Sequence, residues 1–459
     1  MYLICNGRLI THDSAHPYYE NGAAAVDGGR IIRVGENGVL MRLYPEAELI
    51  DAKGGVIMPG LINAHTHFYS GMLRGFAMPG YSPSSLYDVL KGRSWKLDHE
   101  LDFYNCIHAA YGALIESARC GVTTVFDHHA SSSDPSGTLF GIACAVNRVG
   151  IRACLSYEVS MRCGYGSCSA GMHENAEFYS ICERERMDRV RPIFGLHAPF
   201  TLSNVELAEC VKLNNGRACF HIHVSESMDD TLFCQHNYGK RPINRLAEFG
   251  ILGPDTIAAH CVHVTDEEMD ILKKTGTFVV NCPQSNMSNA VGTAPVAEML
   301  KRGITVGLGT DGFTSDMLES ARAFITAQRQ ALRKPGFGVP EAARMLFENN
   351  RLLASRYFDS GIGTLAEGAP ADVIIMDYTP FTPMDESNYP SHILFGMSGR
   401  DCSMCMVGGN ILMKDRRLLT IDESAAKEAA ARSAAELWAR LKDRNDSEYE
   451  WSSPAPLFQ

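Results

Sequence analysis

A His-x-His pair, His65 and His67, closes the ten-residue run MPGLINAHTH. Residues two apart on an extended strand project to the same side, so both imidazoles can reach one metal ion. With 16 histidines in 459 residues, chance supplies roughly 0.6 such pairs when same-side projection is the only requirement. The pair therefore gains meaning only from partners. Three stand at the ends of later strand-like runs: His223 in ACFHIHVS, His260 in DTIAAHCV and Asp311 in GITVGLGTD. Catalytic zinc takes three or four N and O donors and keeps one position open for water. Three neutral imidazoles and one carboxylate leave a net positive centre, which draws the pKa of bound water toward neutrality. That is the chemistry of a single-metal hydrolase.

Such residues must be brought together by strands. Eight strand-like runs (LINAHTH, GVTTVFDHH, IRACLSYE, RPIFGLHA, ACFHIHVS, DTIAAHCV, GTFVVNCP and GITVGLGTD) carry the reactive residues at their C-terminal ends. Helical segments such as NCIHAAYGALIESARC, PVAEMLKR and ESARAFITAQRQAL alternate with them. The expected fold is α/β, a (β/α)8 TIM barrel over residues 58–360. A doubly wound open sheet is disfavoured because no G-x-G-x-x-G follows an early strand. Short alternating runs before residue 58 and again over 361–421 predict a small β-sandwich subdomain built from both chain ends. Residues 422–459 read as an amphipathic helix with a serine-flanked start, followed by a frayed or partner-docked tail.

Composition narrows the function. A formal net charge of −11 argues against nucleic acid or an anionic membrane as partner. No apolar run reaches transmembrane length and the start lacks signal-peptide features, so a cytoplasmic protein is expected. The 15 cysteines are odd in number and scattered, unlike a secreted disulfide framework. Cys402 and Cys405 form a lone C-x-x-C without a second pair. Cys163 and Cys168, in the Gly-rich RCGYGSCSAG, are expected in a mobile loop. The Gly-, Pro- and aromatic-rich run from Phe68 to Lys96 should overhang the pocket as a lid, with Tyr81, Tyr87 and Trp95 available to stack on a planar ring.

The motifs MPGLINAHTH, HVSE, AAHCVH, NCPQSNM and LGTDG, in this order, resemble the amidohydrolase superfamily in its branch of metal-dependent aminohydrolases and chlorohydrolases. The overall pattern is most similar to the SsnA-type aminohydrolases. The resemblance implies one divalent metal ion, zinc ahead of iron, held by His65, His67, His223 and Asp311. Two-metal members carry a carboxylated lysine on the fourth strand, where this chain has His197 instead, in keeping with one metal. The resemblance also implies that Glu226, three residues after His223, shuttles a proton to a ring nitrogen of the substrate. Asp311 takes the proton of the attacking water and passes it to departing ammonia, and His260 stabilises the attacking oxygen. His221 and His263 are expected to be bystanders, and His108 structural.

Four residues are expected to touch substrate: His197, His129 (with His128 a weaker candidate beside it), Asn286 and Trp95. The activity so implied is hydrolytic deamination of a purine-, pyrimidine- or triazine-like heterocycle. Opening of a cyclic amide and dechlorination on the same centre are the alternatives, and a non-catalytic metal-binding barrel is the reading of another class. The resemblance further implies a homodimer.

Overall fold

The computed structural model describes residues 1–78, 80–444, 449 and 451. Its centre is a ring of parallel strands, numbered here within the barrel: β1 Leu61–Thr66, β2 Val122–His129, β3 Arg152–Tyr157, β4 in two pieces (Val190–Pro192 and Phe194–Leu196), β5 Phe220–Val224, β6 Ile257–His260, β7 Phe278–Asn281 and β8 Val306–Leu308. All correspond to the runs read from the sequence. β1 to the first piece of β4 form one parallel sheet, and the second piece of β4 to β8 form another. Parallel bridges Val159↔Leu196 and Thr66↔Asp311 join them on both sides, which closes the barrel. The second of these bridges places the end of β1 against Asp311, three residues beyond the end of β8. Both strand faces are covered, which is why the strands read as nearly continuous apolar runs.

The chain ends build one nine-stranded sheet. Tyr2–Ile10 lies inside it, and Val56–Pro59 joins the two contributions by pairing Arg8↔Val56 on one side and Ile374↔Met58 on the other. Cys402 and Cys405 lie on its strand Cys402–Val407, buried and free. They are three residues apart and pack as small apolar side chains, and among the described residues they belong to no metal-binding group.

One expectation about loops is corrected. The stretch around Cys163 and Cys168 is not a loop: Gly164–Glu185 is a helix that follows β3. Of its glycines, Gly171 is required by packing, since a Cβ there would sit 2.6 Å from the ring of Tyr157. The run from Phe68 to Lys96 supplies Tyr69, Leu86, Leu90 and Trp95 to the cavity lining, and contains a 3-10 turn at Phe68–Leu73, a helix at Leu86–Val89 and another beginning at Trp95. The C-terminal helix Glu423–Asp443 is capped by Asp422, whose side chain accepts from Ala425 N, rather than by a serine. It is fastened to the segment after β1 where Trp438 Nε1 donates to Met72 O at 2.7 Å. Apart from Tyr449 and Trp451, the tail beyond Arg444 lies outside the described residues.

A buried acid outside the site gives a pH test of the fold. The Glu174 carboxylate accepts from Gly137 N at 2.7 Å and Leu139 N at 2.8 Å, where helix Thr138–Val149 begins. Burial outweighs these bonds and pushes the acid up to about 7. A folded pKa above the unfolded one means that folding takes up a proton between them. The contribution is full below the unfolded value and is lost as pH rises through about 7. Wild type should therefore lose about 3 kcal/mol relative to Glu174→Gln between pH 4.5 and 7.5, at ~1.4 kcal/mol per pH unit. Paired urea titrations across that range measure it, and a constant difference would refute it.

Candidate active site

The C-terminal ends of the barrel strands converge on a cavity of about 280 Å³. His65 and His67 come from the end of β1 and the residue after it, His223 from β5, His260 from the last position of β6, and Asp311 from the loop after β8. His67, His223, Glu226, His260 and Asp311 line the cavity, and His65 lies beneath them, fully buried. His260 and Asp311 have φ of +71° and +56°, a region that non-glycine residues seldom adopt. This local strain turns both side chains inward. Gly309 permits the close approach of β8 to β1, because a Cβ there would stand 2.8 Å from His65 O.

Four imidazoles share one orientation. His67 Nδ1 donates to His128 O at 2.5 Å, His223 Nδ1 to His197 O at 2.9 Å, and His260 Nδ1 to Asn286 Oδ1 at 2.8 Å. His65 Nδ1 lies 2.8 Å from His221 Nε2, and with the same tautomer it donates there. Each Nε2 then presents a lone pair to the centre. Those of His67 and His223 are 3.2 Å apart, and those of His65 and His260 are buried without a hydrogen-bond partner. Two ring nitrogens so close must share either a proton or a metal ion. Asp311 Oδ1 is 3.4 Å from His67 Nε2, and Asp311 Oδ2 is 3.7 Å from His260 Nε2. Ligand atoms of His65, His67 and His223, with His128, lie within 4.8 Å of one another, as do those of His65, His260 and Asp311. The donor set fits one divalent metal ion.

The electrostatics agree. Burial, reinforced by the neighbouring imidazoles, pushes His65 and His223 well down, so both are neutral. Burial opposes a charge on His67 too, but Glu158 and Asp311 outweigh it and lift that ring to about 10. Among these three rings the proton therefore falls on His67, which is flanked by two carboxylates. Metal binding must displace that proton.

Glu158, just beyond β3, escaped the sequence reading. It is buried, with Oε1 3.2 Å from His67 Nδ1 and Oε2 3.9 Å from His197 Nε2. Burial opposes its ionisation, yet His67, His197 and Arg162 hold it down at about 2. Arg162 and Asp98, also missed, extend the chain of buried charge along the cavity wall. The available signal was the charged pair in YEVSMR, four residues apart at a strand end.

The expected substrate contacts divide. Trp95 and His197 line the cavity, their rings 6.3 Å apart and edge-on. Trp95 is itself packed by Tyr87 and by Trp451 from the C-terminal tail. His129 and Asn286 do not line the cavity. Successive residues of a strand face opposite sides. His128 therefore points toward the histidine cluster, stacked on His221 at 4.3 Å, while His129 turns behind Tyr69 and bonds Ser131 Oγ at 3.2 Å. Asn286 sits behind His260 and fixes that ring's tautomer. His221 does the same for His65, and so is more than a bystander.

A parallel barrel with this cluster at its C-terminal mouth has the build of a metal-dependent hydrolase. Residues 56–412 match the model of the Amidohydrolase family, and the chain belongs to that family. It is 31% identical over 447 residues to a 5'-deoxyadenosine deaminase of Methanosarcina mazei, covering 96% of this chain and 99% of that one. It is 32% identical over 428 residues to a 5-methylthioadenosine/S-adenosylhomocysteine deaminase of Desulfitobacterium hafniense, covering 92% and 95%. Among solved structures, an adenosine deaminase from Xanthomonas campestris with bound zinc shares the fold, with TM-score 0.83 and 20% identity over 95% of this chain and 98% of that one. Among the described residues no helix is long and apolar enough to cross a membrane.

Proposed function

We propose that the protein removes an amino group from a planar, purine-like nitrogen heterocycle by hydrolysis, releasing ammonia. The observation that carries this reading is the row of Glu226, His260 and Asp311 lining the cavity, beside the ring nitrogens of His67 and His223. His260 Nε2 is 3.7 Å from Glu226 Oε2 and 3.7 Å from Asp311 Oδ2, so one imidazole bridges two carboxylates. The deaminase relatives, at 31% and 32% identity over nearly their whole lengths, support the same reaction class.

A divalent ion held by His65, His67, His223 and Asp311, zinc in preference to iron, supplies a Lewis acid that lowers the pKa of water. Burial pushes Glu226 up, Asp311 adds to the push and His260 opposes it. The result is a carboxyl that keeps a proton more readily than an exposed one. It delivers this proton to the ring nitrogen beside the amino-bearing carbon, making that carbon electrophilic. Asp311 accepts a proton from the attacking water and returns it to the departing amine. His260, its Nδ1 tied to Asn286, stays aimed at the attacking oxygen. As the carbonyl forms, Glu226 regains its proton from the hydroxyl on that carbon, so amine and water become ring carbonyl and ammonia with both carboxyl groups restored.

His197 and Trp95 hold the ring from the facing wall. We further place the enzyme in the cytoplasm as a homodimer. Metal analysis of the purified protein, with ammonia and product mass measured across purines, pyrimidines and triazines, tests the reading. One equivalent of zinc and ammonia release are expected. Products that retain all their nitrogen would refute deamination and point to dechlorination or ring opening.

A further inference from the structure

One wall of the cavity carries polar groups that the deamination steps do not use. Asp98 and Arg162 are 1% and 2% exposed, and Arg162 Nη2 binds Asp98 Oδ2 at 2.9 Å. Asp98 Oδ1 and Arg162 Nη1 have no hydrogen-bond partner, although both atoms are buried and both residues line the cavity. Buried polar atoms without partners are costly, and here an acceptor and a donor are left open on one ion pair. Trp95 Nε1, on the same wall, is also unpartnered.

We propose that the Asp98–Arg162 pair is a specificity subsite that binds an amide edge, a ring N–H beside a ring carbonyl, on the heterocycle being deaminated. Asp98 Oδ1 accepts from the ring N–H, and Arg162 Nη1 donates to the carbonyl oxygen.

The geometry disfavours other ligands. A phosphate or carboxylate on the substrate would meet Asp98 and Glu158, two carboxylates around one guanidinium. Glu158 Oε2, 3.6 Å from Arg162 Nη1, keeps the guanidinium in place and ties this subsite to the cluster through His67. The preferred substrate is then an oxo-substituted amino-heterocycle of the guanine or oxo-aminotriazine type.

This inference rests on the deaminase reading, and the experiment separates the two. Metal-loaded enzyme is assayed for ammonia with guanine, 1-methylguanine, 2-aminopurine, adenosine and 2',3'-dideoxyadenosine. A site built to hydrogen-bond a group rejects analogues that lack it. Guanine should therefore exceed 1-methylguanine and 2-aminopurine in kcat/KM by about a hundredfold or more. In Asp98→Asn the side chain keeps an oxygen for Arg162 and turns an N–H toward the cavity. The preference for guanine over 2-aminopurine should fall at least tenfold, with metal content unchanged. An equal loss on all compounds, or a preference set by the ribose hydroxyls, would overturn the subsite. Should no compound release ammonia, the deaminase reading fails. Calorimetric binding of guanine against 1-methylguanine then decides the subsite, and equal affinities would overturn it.

Discussion

Glu226→Gln is expected to lower kcat for ammonia release about a thousandfold, within the range that general acid–base groups contribute. The substitution keeps the size of the side chain and its contact with Asn289, 3.4 Å away, but the amide cannot deliver a proton. Glu226 lies outside the proposed ligand set, so the variant should retain its metal and bind substrate with a KM within a few-fold of wild type. The pH profile provides a second readout. Burial raises the Glu226 pKa, so the protonated form persists above the usual carboxylate range. Activity that depends on this form is present below the raised pKa and lost as pH rises through it. The variant should lack that alkaline limb. Steady-state kinetics with metal analysis measure these effects, and a kcat within tenfold of wild type would remove Glu226 from the mechanism.

The proposed ligand residues stand out in the sequence because each combines a chemistry-bearing type with a strand end. His65 and His67 share a face by the period of two, and His223, His260 and Asp311 close runs that are apolar on both sides. The same regularity explains the misplacement of His129. HH at a strand end offers two candidates, and only the direction of the strand inside the closed barrel decides which faces inward. Asn286 was found for the wrong role, since its distance from the cavity depends on how helix Pro283–Ser288 packs behind β6. Asp98, Glu158 and Arg162 were invisible for a different reason. Buried charges look like surface charges in a sequence, and their pairing spans 60 or more positions between Asp98 and the other two. Glycine was misleading after Cys163, because the segment is helical and Gly171 in it marks helix-to-barrel contact at Tyr157.

The missed residues also carry the largest expected effect on stability. Arg162→Met should destabilise the fold by about 3–5 kcal/mol, the cost of removing one partner from a buried ion pair. The guanidinium stands between Asp98 at 2.9 Å and Glu158 at 3.6 Å, all three at most 2% exposed. Methionine fills similar length but leaves two carboxylates facing each other without a counter-charge. Proton uptake relieves part of this. Burial already pushes Asp98 up to about 7 despite Arg162, and losing the arginine raises it further. The sign follows: a carboxyl whose folded pKa exceeds its unfolded one loses stability as pH rises through the folded value. The deficit of the variant should therefore be smallest near pH 5 and grow toward pH 8. Adding Asp98→Asn to Arg162→Met removes one stranded charge, so the double variant should be more stable than the single one above neutrality. Urea unfolding of the three proteins across pH closes the cycle. A deficit below about 1 kcal/mol, which surface ion pairs give, would mean that water reaches these charges and that the cavity wall is not the dry, pre-set surface described here.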